Sequence, residues 1–272
     1  MTNSKTAIKL ALIGHPVRHS RSAKIFELLA RELDCPIGYE AFDVLPGKLK
    51  VFLRGLKGLR GFNITIPHKQ SVIPLLDSLT PEARAIGAVN VVRFSSAGLK
   101  GHNTDAAGFT DALSEAGIET SGEDVMIFGA GGAARAAAFA LGSSGARSVR
   151  FVNRSPENAA AAVKALKKRF TRTVFEAGPL EPSFLWVNAT PLGMEGFAAR
   201  SPAPGQFECS AAFDMVYGGA TPFLRQAGRS GVKACDGLSM LVFQALHAWE
   251  FWVEPLGPDR RRALAQELLK EL

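Results

Sequence analysis

A short apolar strand that runs straight into a glycine-rich turn constrains this fold more than any other feature. Residues 125–128 read VMIF, and residues 129–134 read GAGGAA. They match the pattern GxGxxG/A in the setting that gives it meaning, with a strand before it and an alanine-rich helix after it. Glycine permits a tight turn and a close approach of backbone N–H groups to a pyrophosphate, and the helix N-terminus adds partial positive charge. The pattern predicts a dinucleotide-binding βαβ unit; the alternative is an ordinary turn in an alanine-rich α/β protein.

The end of the next strand bears on which dinucleotide such a unit would bind. An acidic residue at this point would hold the ribose hydroxyls of NAD. Here the strand ends Val152-Asn153-Arg154-Ser155. An arginine without a nearby carboxylate favours the additional phosphate of NADP, by its charge and by its forked donors. The alternative, a solvated loop arginine, leaves the missing acid unexplained.

Strand-like and helix-like segments alternate along the chain, which indicates an α/β protein. A first unit is expected to contain strands at 10–14, 38–44, 61–66, 88–94 and 99–102, with helices at 22–33, 49–56 and from Pro81 onward. A second βαβ system begins near residue 104, with a helix at 104–116, strands at 125–128, 148–152, 184–188 and 212–215, and a helix capped by Ser155 and started by Pro156. The helical segments 238–251 and 260–272 could pack on either unit.

The composition excludes several classes of protein. The net charge is +7, and residues 1–103 carry 15 Lys and Arg against seven Asp and Glu. These charges are scattered without an interleaved aromatic platform, so we expect no nucleic acid and favour a small anionic substrate, with a solvated surface as the alternative. The three cysteines form no CxxC pair, and no stretch approaches the roughly 20 apolar residues of a membrane span. We expect no disulfide framework, no membrane and a reducing, cytoplasmic setting.

The segment 61–69, GFNITIPHK, has polar residues at the end of a predicted strand. Asn63 and Thr65 alternate with Phe62, Ile64 and Ile66, so the apolar three are expected to anchor the strand in the core. The polar face is either a binding face or simply an exposed strand face.

Lys69 and Asp105 are candidates for acid–base chemistry. A dinucleotide-dependent dehydrogenase needs a group that gives or takes the hydroxyl proton while a hydride moves. A free lysine has a pKa of about 10.4, so burial or a neighbour must tune Lys69 for this task. Asp105, at a predicted helix N-terminus, would orient the lysine or share its proton. Taken alone, each has a structural explanation, as a surface lysine and as a helix cap.

Several longer motifs follow one another in a fixed order between Gly14 and Gln244. They are GHPVRHSRS, GFNITIPHK, IGAVN, GHNTDAAGF, GAGGAARA, VNRS, NATPLGM, DMVY and GLSM. Together they resemble the shikimate dehydrogenase family, and the resemblance covers nearly the whole chain. It implies an α/β fold of two domains: an N-terminal α/β substrate domain of residues 1–103, a Rossmann-like NADP-binding domain of residues 104–236, and C-terminal helices in 237–272 that return to the first domain.

The resemblance also implies an activity and a site. The activity is the reversible reduction of 3-dehydroshikimate to shikimate by NADPH in chorismate and aromatic amino-acid biosynthesis, by a monomer or homodimer that uses Lys69 and Asp105 as its catalytic pair. The substrate residues implied are Ser20 and Ser22 for the carboxylate, Asn63, Thr65, Lys69, Asn90, Asp105 and Gln244 for the ring, and Tyr217 from the cofactor side. The cofactor residues implied are Gly129, Ala130, Gly131, Gly132 and Ala133 for the pyrophosphate, Asn153 and Arg154 for the adenosine phosphate, and Thr190, Gly193, Met194 and Met240 near the nicotinamide. Packing explains Met240 about as well. No metal is expected.

The chain departs from the family after Ser22, where Ala23, Phe26 and Glu27 replace the usual proline and His-Asn pair. This leaves open how the first helix begins and packs. Two rival functions are a quinate or quinate/shikimate dehydrogenase that uses NAD, and a dinucleotide-binding regulatory protein without turnover. Arg154 and the serine pair argue against the first, and the Lys69–Asp105 pair argues against the second.

Overall fold

The computed structural model describes residues 6–203 and 205–272. The chain divides into two compact units, one extending to Thr104 and including Leu241–Leu272, the other comprising Asp105–Met240. Each unit has a six-stranded sheet of its own. The α/β class and the return of the C-terminal helices to the first unit are confirmed.

The elements follow the alternation of the sequence. In chain order they are β1 (Ile8–Gly14), α1 (Ser22–Glu32), β2 (Ile37–Asp43), α2 (Leu49–Gly55), β3 (Gly61–Ile64), a 3₁₀ turn (Ile73–Leu75), β4 (Ser78–Leu79), α3 (Pro81–Ile86), β5 (Val91–Ser95), β6 (Gly98–His102), α4 (Asp105–Glu115), β7 (Asp124–Phe128), α5 (Gly132–Ser143), β8 (Ser148–Val152), α6 (Pro156–Lys167), β9 (Val174–Ala177), β10 (Ser183–Asn188), β11 (Cys209–Asp214), α7 (Pro222–Arg229), β12 (Lys233–Cys235), α8 (Leu238–Trp252) and α9 (Pro258–Lys270). None of the helices described is long and apolar enough to cross a membrane.

The first unit has a mixed sheet in the order β2-β1-β3-β5-β6-β4. Strand β1 lies parallel to both β2 and β3, whereas β5 runs antiparallel to β3 and β6. The buried strand residues Ala11, Ile13, Phe62, Ile64 and Val92 form one core cluster. Burial of apolar area of this kind is the main favourable term for such a layer.

The C-terminal end of α8 packs on this sheet through Trp252. Its indole is fully buried and donates a hydrogen bond from Nε1 to the carbonyl of Val92, 2.8 Å away. A Cβ at Gly61 would lie 2.1 Å from that nitrogen, so only glycine leaves room for the indole. Arg60 and Arg93 donate to the carbonyls of Trp252 and Phe251, which places two cations at the negative end of the helix dipole.

The second unit has an entirely parallel sheet in the order β12-β11-β10-β7-β8-β9. Counted within the unit, this is the order 3-2-1-4-5-6 of dinucleotide-binding domains, read from the other edge. The direction of winding reverses between β7 and β10, and ligands of such sheets bind outside the carboxyl ends of the strands at this switch point.

Several local predictions need correction. Strand β3 ends at Ile64 rather than Ile66, and Ile66 is 38% exposed, because the chain turns out of the sheet before Pro67. The side chain of Ser155 makes no capping hydrogen bond at the start of α6. Four elements, β4, β9, β12 and α7, were not predicted: the strands have only two to four residues, too few to display an alternating pattern.

Candidate active site

Ser20 and Ser22 form a hydroxyl pair at the start of α1. The Ser20 hydroxyl donates to Ser22 Oγ at 3.1 Å, and the Ser22 backbone N–H donates back to Ser20 Oγ at 3.3 Å. Ser22 is the first residue of α1, so the partial positive charge of the helix N-terminus lies beside the pair. The helix begins where predicted, and Phe26 is fully buried and stacks on Tyr39 with centroids 4.6 Å apart.

Asn63 lies in β3 with its amide held on both sides. Tyr39 donates its hydroxyl hydrogen to Asn63 Oδ1 at 2.8 Å, and Asn63 Nδ2 donates to the backbone carbonyl of Asn90 at 3.2 Å. These two bonds fix which way the amide points. Asn63 is buried, so the predicted polar face is not simply an exposed strand face at this position. Thr65, just after the strand, is half-buried against Gly14.

Asn90 joins three parts of the first unit. Its Nδ2 donates to Thr104 Oγ1 at 2.9 Å and to Gln244 Oε1 at 3.2 Å, and its Oδ1 accepts from the Thr104 backbone N–H at 2.7 Å. Asn90, Thr104 and Gln244 are all buried. Gln244 in turn donates to the carbonyl of Leu241 at 2.7 Å within α8. Thus two of the predicted substrate residues, Asn90 and Gln244, are brought into direct contact by the fold.

The segment of Val89 and Asn90 contacts the backbone of Lys69 and of Thr104, the residue before Asp105. The backbone carbonyl of Lys69 accepts from the N–H of Val89 at 2.7 Å, one residue before Asn90. Asp105 follows Thr104 directly in the chain and is the first residue of α4, where it is 4% exposed. Lys69 is half-buried in the turn after β3.

His102 is a half-buried, neutral imidazole close to this region. Burial lowers its pKa to about 4, so it carries no charge near neutral pH. Its Nδ1 lies 2.8 Å from Thr80 Oγ1, and its ring packs against Phe251 with centroids 5.0 Å apart. These contacts give His102 a structural role.

In the second unit, the glycine turn connects β7 to α5 at the switch point. Gly129 has a φ of +107°, which only glycine adopts readily, and its N–H donates to the carbonyl of Val152 at the end of β8. A Cβ at Gly129 would lie 3.1 Å from the carbonyl oxygen of Ala189, which follows β10. The predicted cofactor residues at three strand ends therefore lie at one edge of the sheet.

Most of the remaining predicted cofactor residues follow the carboxyl ends of strands in the same sheet. Asn153 is half-buried and donates to the carbonyl of Ser155 at 2.8 Å, while Arg154 is exposed. Thr190 is held by Asn188, whose Oδ1 accepts from its N–H at 3.0 Å and its hydroxyl at 2.6 Å. Gly193 and Met194 lie half-buried in the loop after β10, and Met240 is buried in α8. The predicted substrate residue Tyr217 lies half-buried in the loop after β11.

The turn has the features that a bound dinucleotide needs. Gly131 is the N-cap of α5, and a Cβ built on it meets none of the described residues within 4 Å apart from its own chain neighbours, so the space beside the first turn is open. The first helical residues are Gly132, Ala133 and Ala134, whose short side chains leave their backbone N–H groups approachable. Together with the exposed guanidinium of Arg154, this donor set fits the phosphates of NADP.

Sequence reasoning did not identify Tyr39, Thr104, Asn188 and Asp214 as supporting residues. The last three lie within the motifs GHNTD, NATPLGM and DMVY, so a signal was present in the sequence. Their contacts depend on strands that are distant in the chain and cannot be derived from spacing.

Comparisons with known proteins agree along the chain. Residues 12–92 match the model of the shikimate dehydrogenase substrate binding domain. The shikimate dehydrogenase (NADP(+)) of Moorella thermoacetica is 39% identical over 96% of this chain and 92% of its own length. The structure of shikimate 5-dehydrogenase from Thermus thermophilus in complex with NADP(H) and shikimate superimposes with a TM-score of 0.83, at 37% identity over 96% of this chain and 99% of that one. The enzyme from Listeria monocytogenes in complex with shikimate and NAD has a TM-score of 0.82, at 29% identity over 98% of this chain and 99% of that one.

The fold and the glycine turn define a two-domain, dinucleotide-dependent oxidoreductase. Within that class, the relatives reported above are all shikimate dehydrogenases. Their similarity covers nearly the whole chain, as do the motifs between Gly14 and Gln244. The chain belongs to the shikimate dehydrogenase family.

Proposed function

We propose that this chain is an NADP-dependent shikimate dehydrogenase, which reduces 3-dehydroshikimate reversibly to shikimate in chorismate and aromatic amino-acid biosynthesis. The observation that carries the proposal is the likeness, over nearly the full length of both chains, to the Thermus thermophilus enzyme whose structure contains NADP(H) and shikimate. The domain of residues 1–103, with 237–272, binds the substrate, and the domain of residues 104–236 binds NADP.

The serine pair suits a carboxylate. Ser20 and Ser22 have hydroxyl oxygens 3.1 Å apart, so one hydroxyl can donate to each oxygen of a substrate carboxylate. The N-terminus of α1 stabilises the negative charge there. The excess of basic residues in residues 1–103 adds a favourable long-range field for an anionic substrate.

The ring hydroxyls are bound by polar groups that the chain already orients. Asn63 donates one of its two amide hydrogens to the carbonyl of Asn90, and the second can be donated to a ring hydroxyl. Asn90 donates its amide hydrogens to Thr104 and Gln244. It therefore holds the side chain of Gln244 in place, and its own amide oxygen accepts a hydrogen bond from a substrate hydroxyl. Thr65 and Tyr217 supply further hydroxyl groups.

Lys69 transfers the proton to and from the substrate oxygen, and Asp105 assists it. Bound NADPH supplies the hydride. The Lys69 ammonium donates a proton to the substrate oxygen during reduction and takes it back during oxidation. Asp105 orients that ammonium and accepts hydrogen bonds from the substrate. Two backbone contacts support the pairing: Lys69 accepts from the N–H of Val89, and Thr104, the residue before Asp105, donates to Asn90.

The cofactor is held by the edge of the parallel sheet in the second unit. The backbone of Gly129, Ala130, Gly131, Gly132 and Ala133 binds the pyrophosphate, Asn153 and Arg154 bind the adenosine phosphate, and Thr190, Gly193, Met194 and Met240 line the nicotinamide side. A cytoplasmic setting and a monomeric or homodimeric state stay predictions, the second of which light scattering would measure.

A steady-state assay of the four combinations of shikimate or quinate with NADP or NAD tests the proposal. We expect shikimate with NADP to give the highest kcat/KM. The relative solved with shikimate and NAD makes the coenzyme comparison necessary. Dominance of NAD with quinate would support the quinate/shikimate dehydrogenase instead, and NADP binding without turnover of any substrate would support a regulatory protein.

A further inference from the structure

A polar cluster, buried except for the half-buried Thr190, lies at the carboxyl ends of β10 and β11. We call it the Asp214 cluster; its members are Asn188, Thr190, Asp214 and Thr221. Asn188 and Asp214 have no exposed surface, and Thr221 is buried. A carboxylate in such a place needs donors on both oxygens to offset the loss of hydration.

Asp214 receives those donors from three different segments. Its Oδ1 accepts from Asn188 Nδ2 at 2.8 Å and from the backbone N–H of Val216 at 3.0 Å. Its Oδ2 accepts from the hydroxyl of Thr221. Because the Asn188 amide turns its Nδ2 to Asp214, its Oδ1 must face Thr190, where it accepts the N–H and hydroxyl bonds already described.

The cluster fixes the loops that carry the nicotinamide-side residues. Thr190 begins the segment 190–194, and a Cβ at Gly193 of this segment would lie 3.2 Å from Thr221 Cβ, so the segment also packs directly on Thr221. Thr221 caps α7 by accepting the N–H of Leu224 at 3.2 Å. Val216 immediately precedes Tyr217. One carboxylate thus sets the position of the loops after both β10 and β11.

The hydrogen-bond partners of Asp214 are neutral groups, and the charged groups around it do not neutralise it. Burial, with a smaller contribution from the negative charge of Asp236 beyond β12, raises the pKa of Asp214 to about 6. From α7, Arg225 directs its guanidinium to the carbonyl of Ala220. The neighbouring strand β10 presents the neutral Asn188. An ionised carboxylate only accepts hydrogen bonds, so the donors of Asn188, Val216 and Thr221 can all point toward it. A protonated carboxyl group or an amide carries a donor of its own, so it cannot accept from all three in the same way.

We propose that ionised Asp214 is a positioning residue for the segment 190–194, so that affinity for NADP depends on the negative charge of Asp214. This rests on the proposed function. Loss of the charge loosens the segment and weakens NADP binding by about tenfold, the usual scale for losing a buried hydrogen bond to a charged group.

The test compares the wild type with Asp214→Asn, which keeps the shape of the side chain. The NADP dissociation constant is measured by titration calorimetry between pH 5 and pH 8. The 2′-phosphate of NADP itself titrates near a pKa of about 6, but this cancels in the ratio of the two dissociation constants. We expect a ratio of about 10 at pH 8 that falls toward 1 at pH 5, where Asp214 of the wild type is also uncharged. Asp236→Asn is the matched control; it retains a capping side chain for the Leu238 N–H and should bind NADP like the wild type at pH 8.

Hydrogen exchange of the cofactor-free protein gives a second readout. Protection factors of residues 190–194 in the wild type should fall as the pH drops through about 6, whereas those of β7 stay constant. This measurement also decides the matter if Asp214→Asn fails to fold. The inference is wrong if the ratio of the NADP dissociation constants is near 1 at pH 8 or stays constant down to pH 5. It is also wrong if the protection of residues 190–194 does not depend on pH. None of these results would contradict the proposed function. Wild-type protein that binds no NADP at any pH overturns both.

Discussion

Asn90 donates a hydrogen bond from Nδ2 to Oε1 of Gln244, 3.2 Å away, although 154 positions separate them in the chain. The bond is buried, and it connects the segment before β5 to helix α8. Helix α8 therefore supplies one of the proposed substrate residues, in addition to covering the core of the first unit through Trp252.

Gln244→Met tests this relationship. Methionine has a similar volume but no amide oxygen, so the buried hydrogen bond from Asn90 Nδ2, which contributes about 0.5–1.5 kcal/mol, is lost. We expect the KM for shikimate to rise about tenfold with a smaller change in kcat. Gln206→Met, at an exposed loop position, is the control and should leave KM unchanged. An unaltered KM in Gln244→Met would remove Gln244 from substrate binding.

Lys69→Ala should lower kcat by about 10²–10⁴-fold, the usual contribution of general acid–base catalysis, with a smaller effect on substrate binding. Stopped-flow measurement of NADPH oxidation separates the two effects. Lys164→Ala removes an exposed lysine of α6 and should behave as the wild type. If turnover survives the change at position 69, Lys69 is not the proton donor.

Arg154→Ala should reduce the preference for NADP. A charged hydrogen bond to phosphate contributes about 1.5–3 kcal/mol, so kcat/KM for NADP should fall roughly 10- to 100-fold while that for NAD changes little. The comparison variant is Arg172→Ala, which removes a second exposed arginine from the same unit. An equal loss with both coenzymes would contradict recognition of the phosphate by Arg154.

His102 and Asp214 should affect acid stability in opposite directions. The pKa of His102 is lowered to about 4 from 6.5, so the unfolded chain binds more protons between these values and the free energy of unfolding rises with pH there. The pKa of Asp214 is raised from 3.8 to about 6, so the native state binds more protons and the free energy of unfolding falls with pH over that interval. The two contributions oppose each other between about pH 4 and pH 6.

Urea unfolding of His102→Gln and Asp214→Asn between pH 4 and pH 7 measures each contribution. In the wild type, His102 contributes a rise in the free energy of unfolding of about 1.4 kcal/mol per pH unit, and this rise should be missing in His102→Gln. Asp214 contributes a fall of about the same size, which should be missing in Asp214→Asn. Three parallel curves would show that neither group titrates differently in the folded protein.

Much of the fold followed from local patterns. The strand Ser148–Val152 has the predicted bounds, and α1, α4 and α5 begin at or near the predicted residues, because apolar periodicity and glycine or proline positions act within a few residues of one another. The predicted family is confirmed by relatives that are 37–39% identical over 96% of the chain. Ile66 was placed in the core and is instead exposed, since alternation alone does not say where a strand leaves its sheet.

The α/β class, the glycine turn and the residue types that the chemistry needs could be predicted from the chain alone, because each depends on neighbouring residues. Three relationships became visible only in the folded protein: Trp252 fills the space left by Gly61, Tyr39 orients the amide of Asn63, and Asp214 accepts hydrogen bonds from three segments. These relationships join residues that are far apart in the chain. Burial determines which polar groups need hydrogen-bond partners and how strongly their pKa values shift, and no local pattern encodes burial.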